Sequence, residues 1–398
     1  MMDSYEKHRQ ILQKIRLDNF KSLVDFEMEL SAFTCLIGLN GAGKTTVLQA
    51  IDFLSQLMNG HLTEWLKQRD WKATDLLCKL VKKRTVGFTV DLQLENGTTA
   101  VWKGDFNTQA QKLYCSSETV TVEGKPELRV TESKYALAGS SRLIPIPFTY
   151  QGSILSQLKD SVLSPNLLQI KRALQSIKSL ELLSPHLMRQ RARQADDVGV
   201  VGEKLSAFLS SLSESEKQII IKKMQEFYPD FNHYQVSAIS GGWRKLLIEE
   251  NFTSSNPDRL IQEKLLTEAR HINDGMLRLL TILAQTQTSH SFLLFDEIEN
   301  GVNPELVEKL VNVLLNAPQQ VLVTTHSPMI LNYLPDNVAR ESVMFIYRTP
   351  QGYSRATRFF DIPSITHKLG LLGPGEVFVD TDLNALVQEL NSKEPCPA

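Results

Sequence analysis

Apolar and polar residues alternate from Ile15 to Leu30, which predicts a short strand, a turn at Asn19 to Ser22, and a second strand through Phe26, Met28 and Leu30. The next run, Phe33-Thr34-Cys35-Leu36-Ile37, reads as another strand and leads straight into Gly38. After the glycines the period changes. Val47, Leu48, Ile51, Leu54 and Leu57 recur at helical spacing between Thr45 and Met58.

From Thr85 to Glu132 the alternation returns, with Val86, Phe88, Val90 and Leu92, a turn at Glu95-Asn96-Gly97, and Ala100 to Trp102. This predicts an antiparallel meander. Between Leu155 and Gln225 the pattern is helical through Leu167 to Leu183 and Gly202 to Leu212, interrupted by Pro165, Pro185 and Gly199. Those breaks exclude the sustained heptads of a long coiled-coil arm. The last third returns to buried strands at Phe292 to Phe295 and Gln320 to Thr324, separated by a helix from Pro304 to Leu315, an order that implies a parallel α/β sheet. The tail from Ser392 to Ala398 is polar and is expected to fray. The expected organisation is a first lobe over 1–154, a helical insertion over 155–225 and a second part of the main fold over 226–398.

Composition changes this picture little. With 43 basic and 45 acidic residues the net charge is -2, so no global field selects for or against nucleic acid. The four cysteines, Cys35, Cys78, Cys115 and Cys396, form no CxxC pair, which argues against a disulfide framework or a zinc site. The N-terminal Met1 to His8 has no apolar segment and no run reaches the roughly 18 apolar residues of a membrane span, so a cytoplasmic protein without membrane contact is expected.

The candidate chemistry lies at three strand ends. Gly38-Leu39-Asn40-Gly41-Ala42-Gly43-Lys44-Thr45 fits GxxxxGK[ST] between a strand and a helix. In that setting Asn40, Gly41, Ala42, Gly43, Lys44, Thr45 and Thr46 surround the phosphates of ATP, Lys44 reaches the β and γ phosphates, and the Thr45 hydroxyl ligates Mg²⁺. Phe292 to Phe295 followed by Asp296-Glu297 has the form of a Walker B strand, with Asp296 on Mg²⁺ and Glu297 polarising the attacking water. Beyond Gln320 to Thr324 stands His326, positioned to sense the γ-phosphate. Gln151, at the exit of Ile144 to Tyr150, is the expected Q-loop residue near the metal. Lys21 is a weaker candidate for the nucleotide's surroundings, and Glu299 and Asn300 for a partner-facing surface.

Two segments compete for the turn that caps ATP from a second protomer. Ser240-Gly241-Gly242 lies between two strand-like runs and reads as a hairpin turn. Asn273-Asp274-Gly275 opens an apolar helix leading to the Walker B strand, so it is the expected cap, acting in trans.

Through Asn19-Phe20-Lys21-Ser22, the Gly38 loop, Asn273-Asp274-Gly275, Asp296 to Gly301, Thr324 to Pro328 and Gly373-Pro374-Gly375-Glu376, the chain resembles the SMC-like branch of ABC ATPases. Within it, the resemblance is to bacterial AAA-type ATPases related to the ATPase part of overcoming-lysogenization-defect nucleases. It implies an α/β fold: a two-lobed ABC/SMC-like P-loop NTPase head with an antiparallel β subdomain and a helical insertion. It also implies an ATP-sandwiched homodimer or higher homo-oligomer and a separate effector, a nuclease or toxin, in anti-phage defence. Departures from the family are Asn273 for serine, Ile298 for proline and Asn303 for histidine. About seventy residues follow His326 and hold no acidic constellation for two-metal cleavage. An ATP-hydrolysing switch is the expected function. A DNA-structure-binding repair ATPase and a scaffold with negligible turnover are the alternatives, and nucleic acid stays open as a partner.

Overall fold

The computed structural model describes residues 11–109, 112–131, 133–138, 143–180, 184–256 and 259–393. Met1 to His8, Cys396 and the tail beyond Lys393 lie outside them. The chain divides into two compact units. One runs to Lys178 and adds His290–Leu294 and the chain from Gln319 onward; the other is Ser179–Ser289 with Phe295–Pro318. These cuts differ from the boundaries at 154 and 225 expected from the hydrophobic pattern.

Strands β1 (Leu12–Asp18), β2 (Phe26–Glu29) and β3 (Phe33–Ile37) precede the long helix Lys44–Asn59. The meander follows as β4 (Thr85–Gln93), β5 (Thr99–Asn107), β6 (Cys115–Val122), β7 (Lys125–Thr131), β8 (Lys134–Leu137) and β9 (Ile144–Pro145). Next come β10 (Ile177–Leu180), β11 (Phe231–Ala238), β12 (Arg244–Asn256) and β13 (Arg259–Glu268). β14 (Phe292–Phe295), β15 (Gln320–Thr324), β16 (Val343–Arg348) and β17 (Ser354–Arg358) are the last.

In the first unit an eight-stranded sheet runs in the order β2-β1-β4-β5-β6-β7-β8-β9. Its strands alternate as one-sided antiparallel strands do: Val86, Phe88, Val90 and Leu92 are buried, and the intervening positions are not. The Trp102 and Phe88 rings meet at a tilt of 55°, ring centres 4.5 Å apart. A six-stranded sheet has the order β10-β14-β15-β3-β16-β17. Here β3 pairs in parallel with both β15 and β16, and all five of its residues are buried, because both faces are covered.

Glu118, at 1% exposure, is a carboxyl inside this apolar packing. Trp102 Nε1 donates to it at 2.8 Å and the Ile154 amide at 3.1 Å, and Ser153 Oγ is a third partner. Burial pushes its pKa up against the pull of those donors. The group ties the meander to the segment that follows it.

The stretch 155–225, expected to be helical, contains a strand. Ser164 caps the helix Pro165–Gln175, which ends at Ser176, and β10 then joins the six-stranded sheet beside β14. Four residues are too few for periodicity to separate strand from helix, and the hydrogen-bonding partner is more than a hundred residues away.

In the second unit β11, β12 and β13 form an antiparallel sheet, and Ser240–Gly242 makes the turn between the first two. The helices Leu205–Ser211 and Glu214–Phe227 precede it. Ser213 and Glu216 form a reciprocal capping box at the start of the latter. The helix Asp274–Gln285 is buried almost all round, which its Met276-Leu277 and Leu279-Leu280 pairs on opposite sides of Arg278 require.

Candidate nucleotide-binding site

In the first unit β3 delivers the chain into the loop Gly38 to Gly43. At Gly38 φ is +144°, and a Cβ would stand 2.1 Å from the carbonyl oxygen of Ile346 in β16. At Gly43 φ is +114°, and a Cβ would stand 2.3 Å from Ser354 Oγ. Only glycine therefore lets the loop lie this close to its neighbours. Past Gly43 the helix Lys44–Asn59 begins, with its first amides directed at the loop's mouth. Asn40, Gly41 and Thr45 are exposed there and Thr46 partly so, while Ala42 is buried beneath.

Lys44 is 6% exposed, and its ammonium donates to the carbonyls of Gly38 at 2.9 Å and Leu39 at 3.2 Å. The cation is thus held over the loop itself. Behind the loop, Ser354 Oγ donates to the Ala42 carbonyl at 2.6 Å and lies 2.8 Å from Ser22 Oγ, while the Ser354 amide donates to the Ser22 carbonyl at 2.8 Å. Ser354 escaped sequence reasoning. It is a lone serine more than three hundred residues from the loop, and nothing local marks it.

The Asn19 to Ser22 turn is structural in its first half. Asn19 is fully buried, donates to the carbonyls of Lys83 and Thr85, and accepts from the Cys78 amide. Lys21 donates to Gln49 of the long helix at 2.7 Å and sits 3.4 Å from the centre of the Trp71 ring. Its ammonium is engaged by this helix and ring.

Gln151 is not beside the loop. Its side chain accepts from the Thr63 amide at 3.0 Å and donates to Thr63 Oγ1 at 2.8 Å. Gly152 and Ser153 pack on Leu57, thirteen residues along the helix from Lys44, on the order of 20 Å away. The sequence placed Gln151 at a strand exit but held no information on which end of the helix that exit meets. As a metal contact the residue is replaced by an anchor for the helix Leu62–Gln68.

His326 follows β15 and is exposed; the Thr325 amide donates to Leu36 of β3 at 3.1 Å. Ser327 caps the short helix Pro328–Asn332. The Gly373 to Glu376 motif packs against that helix: a Cβ on Gly375 would lie 2.3 Å from the Pro328 carbonyl oxygen.

In the second unit Asp296 and Glu297 follow Phe295, the last residue of β14. Glu297 has φ +47°, a left-handed backbone that costs a side-chain-bearing residue about 1 kcal/mol. Asn300 Nδ2 donates to its carboxylate at 2.8 Å, and the Asn300 amide closes the turn on the Glu297 carbonyl at 3.0 Å. This turn aims a carboxylate instead of burying it.

Asn273 is the N-cap of the Asp274–Gln285 helix, accepting from the Met276 amide at 2.8 Å. Arg189 ties the turn down, donating to the Ile272 carbonyl at 2.6 Å and to Asp274 at 2.5 Å. A Cβ on Gly275 would lie 2.7 Å from the Gly301 carbonyl oxygen, so the turn and the segment after Glu297 are in direct contact. Arg278, one helical turn on, packs on Gly301, and burial pulls its guanidinium below the ordinary arginine value while Asp274 and Glu297 oppose that pull. Its buried Nε has no hydrogen-bond partner among the described residues. Neither Arg189 nor Arg278 was found from sequence, although the charge at Arg278 interrupts an otherwise apolar helix.

Comparison with known proteins gives two family matches. The model described as "AAA ATPase domain" matches residues 11–236, and that described as "AAA domain, putative AbiEii toxin, Type IV TA system" matches 153–332. An OLD nuclease of Thermus scotoductus is 31% identical over 108 residues, which are 27% of this chain and 18% of that protein. The match therefore spans less than a fifth of that relative's length. Among solved structures, an Smc head domain from Pyrococcus furiosus, bound to the C-terminal domain of ScpA, aligns with TM-score 0.54 and 12% identity over 90% of this chain and 99% of that one. A second SmcHead, bound to the C-winged helix domain of ScpA, gives 0.50 and 15% over 87% and 97%. At such identities the likeness is one of fold, that of an Smc head domain.

Proposed function

Because the chain belongs to the AAA ATPase domain family, we propose that it binds and hydrolyses ATP with Mg²⁺ and uses the cycle as a switch. The observation that carries this reading is the loop at Gly38 to Lys44. Two glycines in conformations closed to other residues hold a ring of amides at a helix N-terminus, with a buried lysine folded across it.

Such a cradle fits a triphosphate, and Lys44 exchanges its two carbonyl partners for phosphate oxygens on binding. Thr45 and Asp296 are the residues that would hold Mg²⁺. When bound, the ion neutralises phosphate charge. Glu297, fixed by Asn300, orients the attacking water and takes up its proton, and His326 reads the γ-phosphate.

In this proposal Asn273, Asp274 and Gly275 cap the partner's nucleotide within a homodimer or higher homo-oligomer. Closure before hydrolysis and opening after it control a separate effector, a nuclease or toxin, in bacterial anti-phage defence. The similarity to part of an OLD nuclease supports a nuclease as that effector.

Phosphate release and size-exclusion light scattering test the scheme together. Wild type is expected to turn over Mg-ATP, Lys44→Ala to lose both binding and turnover, and Glu297→Gln to bind without turnover and run as an ATP-dependent dimer. Absence of nucleotide binding by the wild type overturns the proposal; a Glu297→Gln protein that binds ATP yet stays monomeric removes the sandwich alone.

A further inference from the structure

In the second unit the segment Arg189-Gln190-Arg191-Ala192-Arg193 runs beside the start of β12. An isolated antiparallel bridge joins Ala192 to Arg244, the Arg244 amide donating to the Ala192 carbonyl at 2.8 Å. In such a pair the flanking residues oppose one another on one face, Arg193 against Trp243 and Arg191 against Lys245. The contacts agree. The Arg193 guanidinium carbon lies 4.7 Å from the Trp243 ring centre, and Arg191 and Lys245 approach Glu268 at 3.7 and 3.8 Å. Arg270 meets the same carboxylate at 3.0 Å.

Three cations thus share one carboxylate, and a fourth covers an indole. Glu268 and Lys245 are partly buried, at 18% and 30%, but the Arg191 and Arg270 side chains are 55% and 63% exposed, so both guanidinium groups keep donors open to further anions. Trp65 and Trp102 are packing residues, buried at 3% and 0%. Trp243 is 38% exposed, at the exit of a turn whose Gly241 and Gly242 have φ of +76° and +77°. The Trp243 carbonyl accepts from the Ile239 amide at 2.8 Å, so the ring is displayed from a fixed hairpin end.

We propose that this face binds single-stranded nucleic acid. Arg191, Lys245 and Arg270 take backbone phosphates, and an unstacked base lies on the Trp243 and Arg193 pair. The aromatic ring decides the ligand class: bases in a duplex are already stacked and would leave it idle, and an acidic polypeptide answers the charge but offers no ring to stack.

Fluorescence anisotropy with labelled single-stranded DNA and RNA of roughly 20 nucleotides, against a duplex and polyglutamate, tests this on the full chain. Wild type is expected to bind a single strand more tightly than the duplex, with a log–log salt slope of about -2 for three phosphates. Whether DNA or RNA binds better identifies the source of the ligand. Trp243→Ala should weaken binding about tenfold, Trp243→Phe should restore most of it, and Glu268→Gln should strengthen it. Basal ATP hydrolysis should be unchanged in the Trp243 variants, which separates this site from the nucleotide site. Equal affinity for the duplex or polyglutamate, or a Trp243→Ala protein that binds like wild type, overturns the proposal.

Discussion

Around Gly38 to Lys44 the conformation is set mainly by backbone: the Ile346 carbonyl of β16 and a single side-chain hydroxyl, that of Ser354, fill the space where side chains would go, and positive φ angles do the rest. Around Glu297 the turn is held by side chains instead. Asn300 holds the carboxylate, Arg189 holds Asp274, and Arg278 lies among Asp274, Glu297 and Gly301. The first region needs a few residue types at fixed spacing. The second needs partners brought from separate stretches of chain. Substitutions in the first should therefore act on folding and binding together, and in the second on turnover with binding spared.

The largest effect is expected at Gly38. In Gly38→Ala the new Cβ meets the Ile346 carbonyl at 2.1 Å, and backbone must move. A stability loss of about 3 kcal/mol is expected in chemical denaturation, with loss of ATP binding in calorimetry. Retention of wild-type affinity would show that the loop tolerates displacement, and the contrast between the regions would lose its first half.

A smaller effect is expected at Arg278. Arg278→Ala should lower kcat about tenfold at nearly constant KM, because Glu297 loses the cation that biases its position while the loop at Gly38 is untouched. Arg278→Lys should recover part of kcat. A rise in KM with kcat unchanged would assign Arg278 to nucleotide binding.

The same division explains what the sequence could disclose. The loop, the meander and the Asp296-Glu297 strand end were legible because each is a local pattern: glycines at fixed offsets, period two, an apolar run ending in acids. The turn at Ser240 to Gly242 was legible from the strands on either side. Ser354, Arg189 and Arg278 were not, since their roles exist only once distant segments meet. Gln151 shows the same limit from the other side. Its place in the chain suggested a metal contact, yet the direction of the preceding helix puts it beside Thr63. In β10 a four-residue strand was hidden inside a helical period for want of length.

Glu118 sharpens the comparison from within the first unit, where a side chain, and not the backbone, ties the meander to Ser153 and Ile154. Its pKa is raised by burial in the fold, so the folded state holds the proton above the ordinary value of 4.5. The stability this group contributes is therefore fully present below that value and is lost as pH rises through the folded pKa. Glu118→Gln removes the titration, keeps an acceptor for Trp102 and sets an amide against the Ile154 N–H, at a cost of about 1 kcal/mol. All other carboxylates titrate alike in both proteins, so the difference between their unfolding free energies isolates this group. That difference should be largest at and below pH 4.5 and narrow as pH rises; a flat gap would mean that donors and burial cancel, and a widening one that the three donors outweigh burial and Glu118 is held ionised.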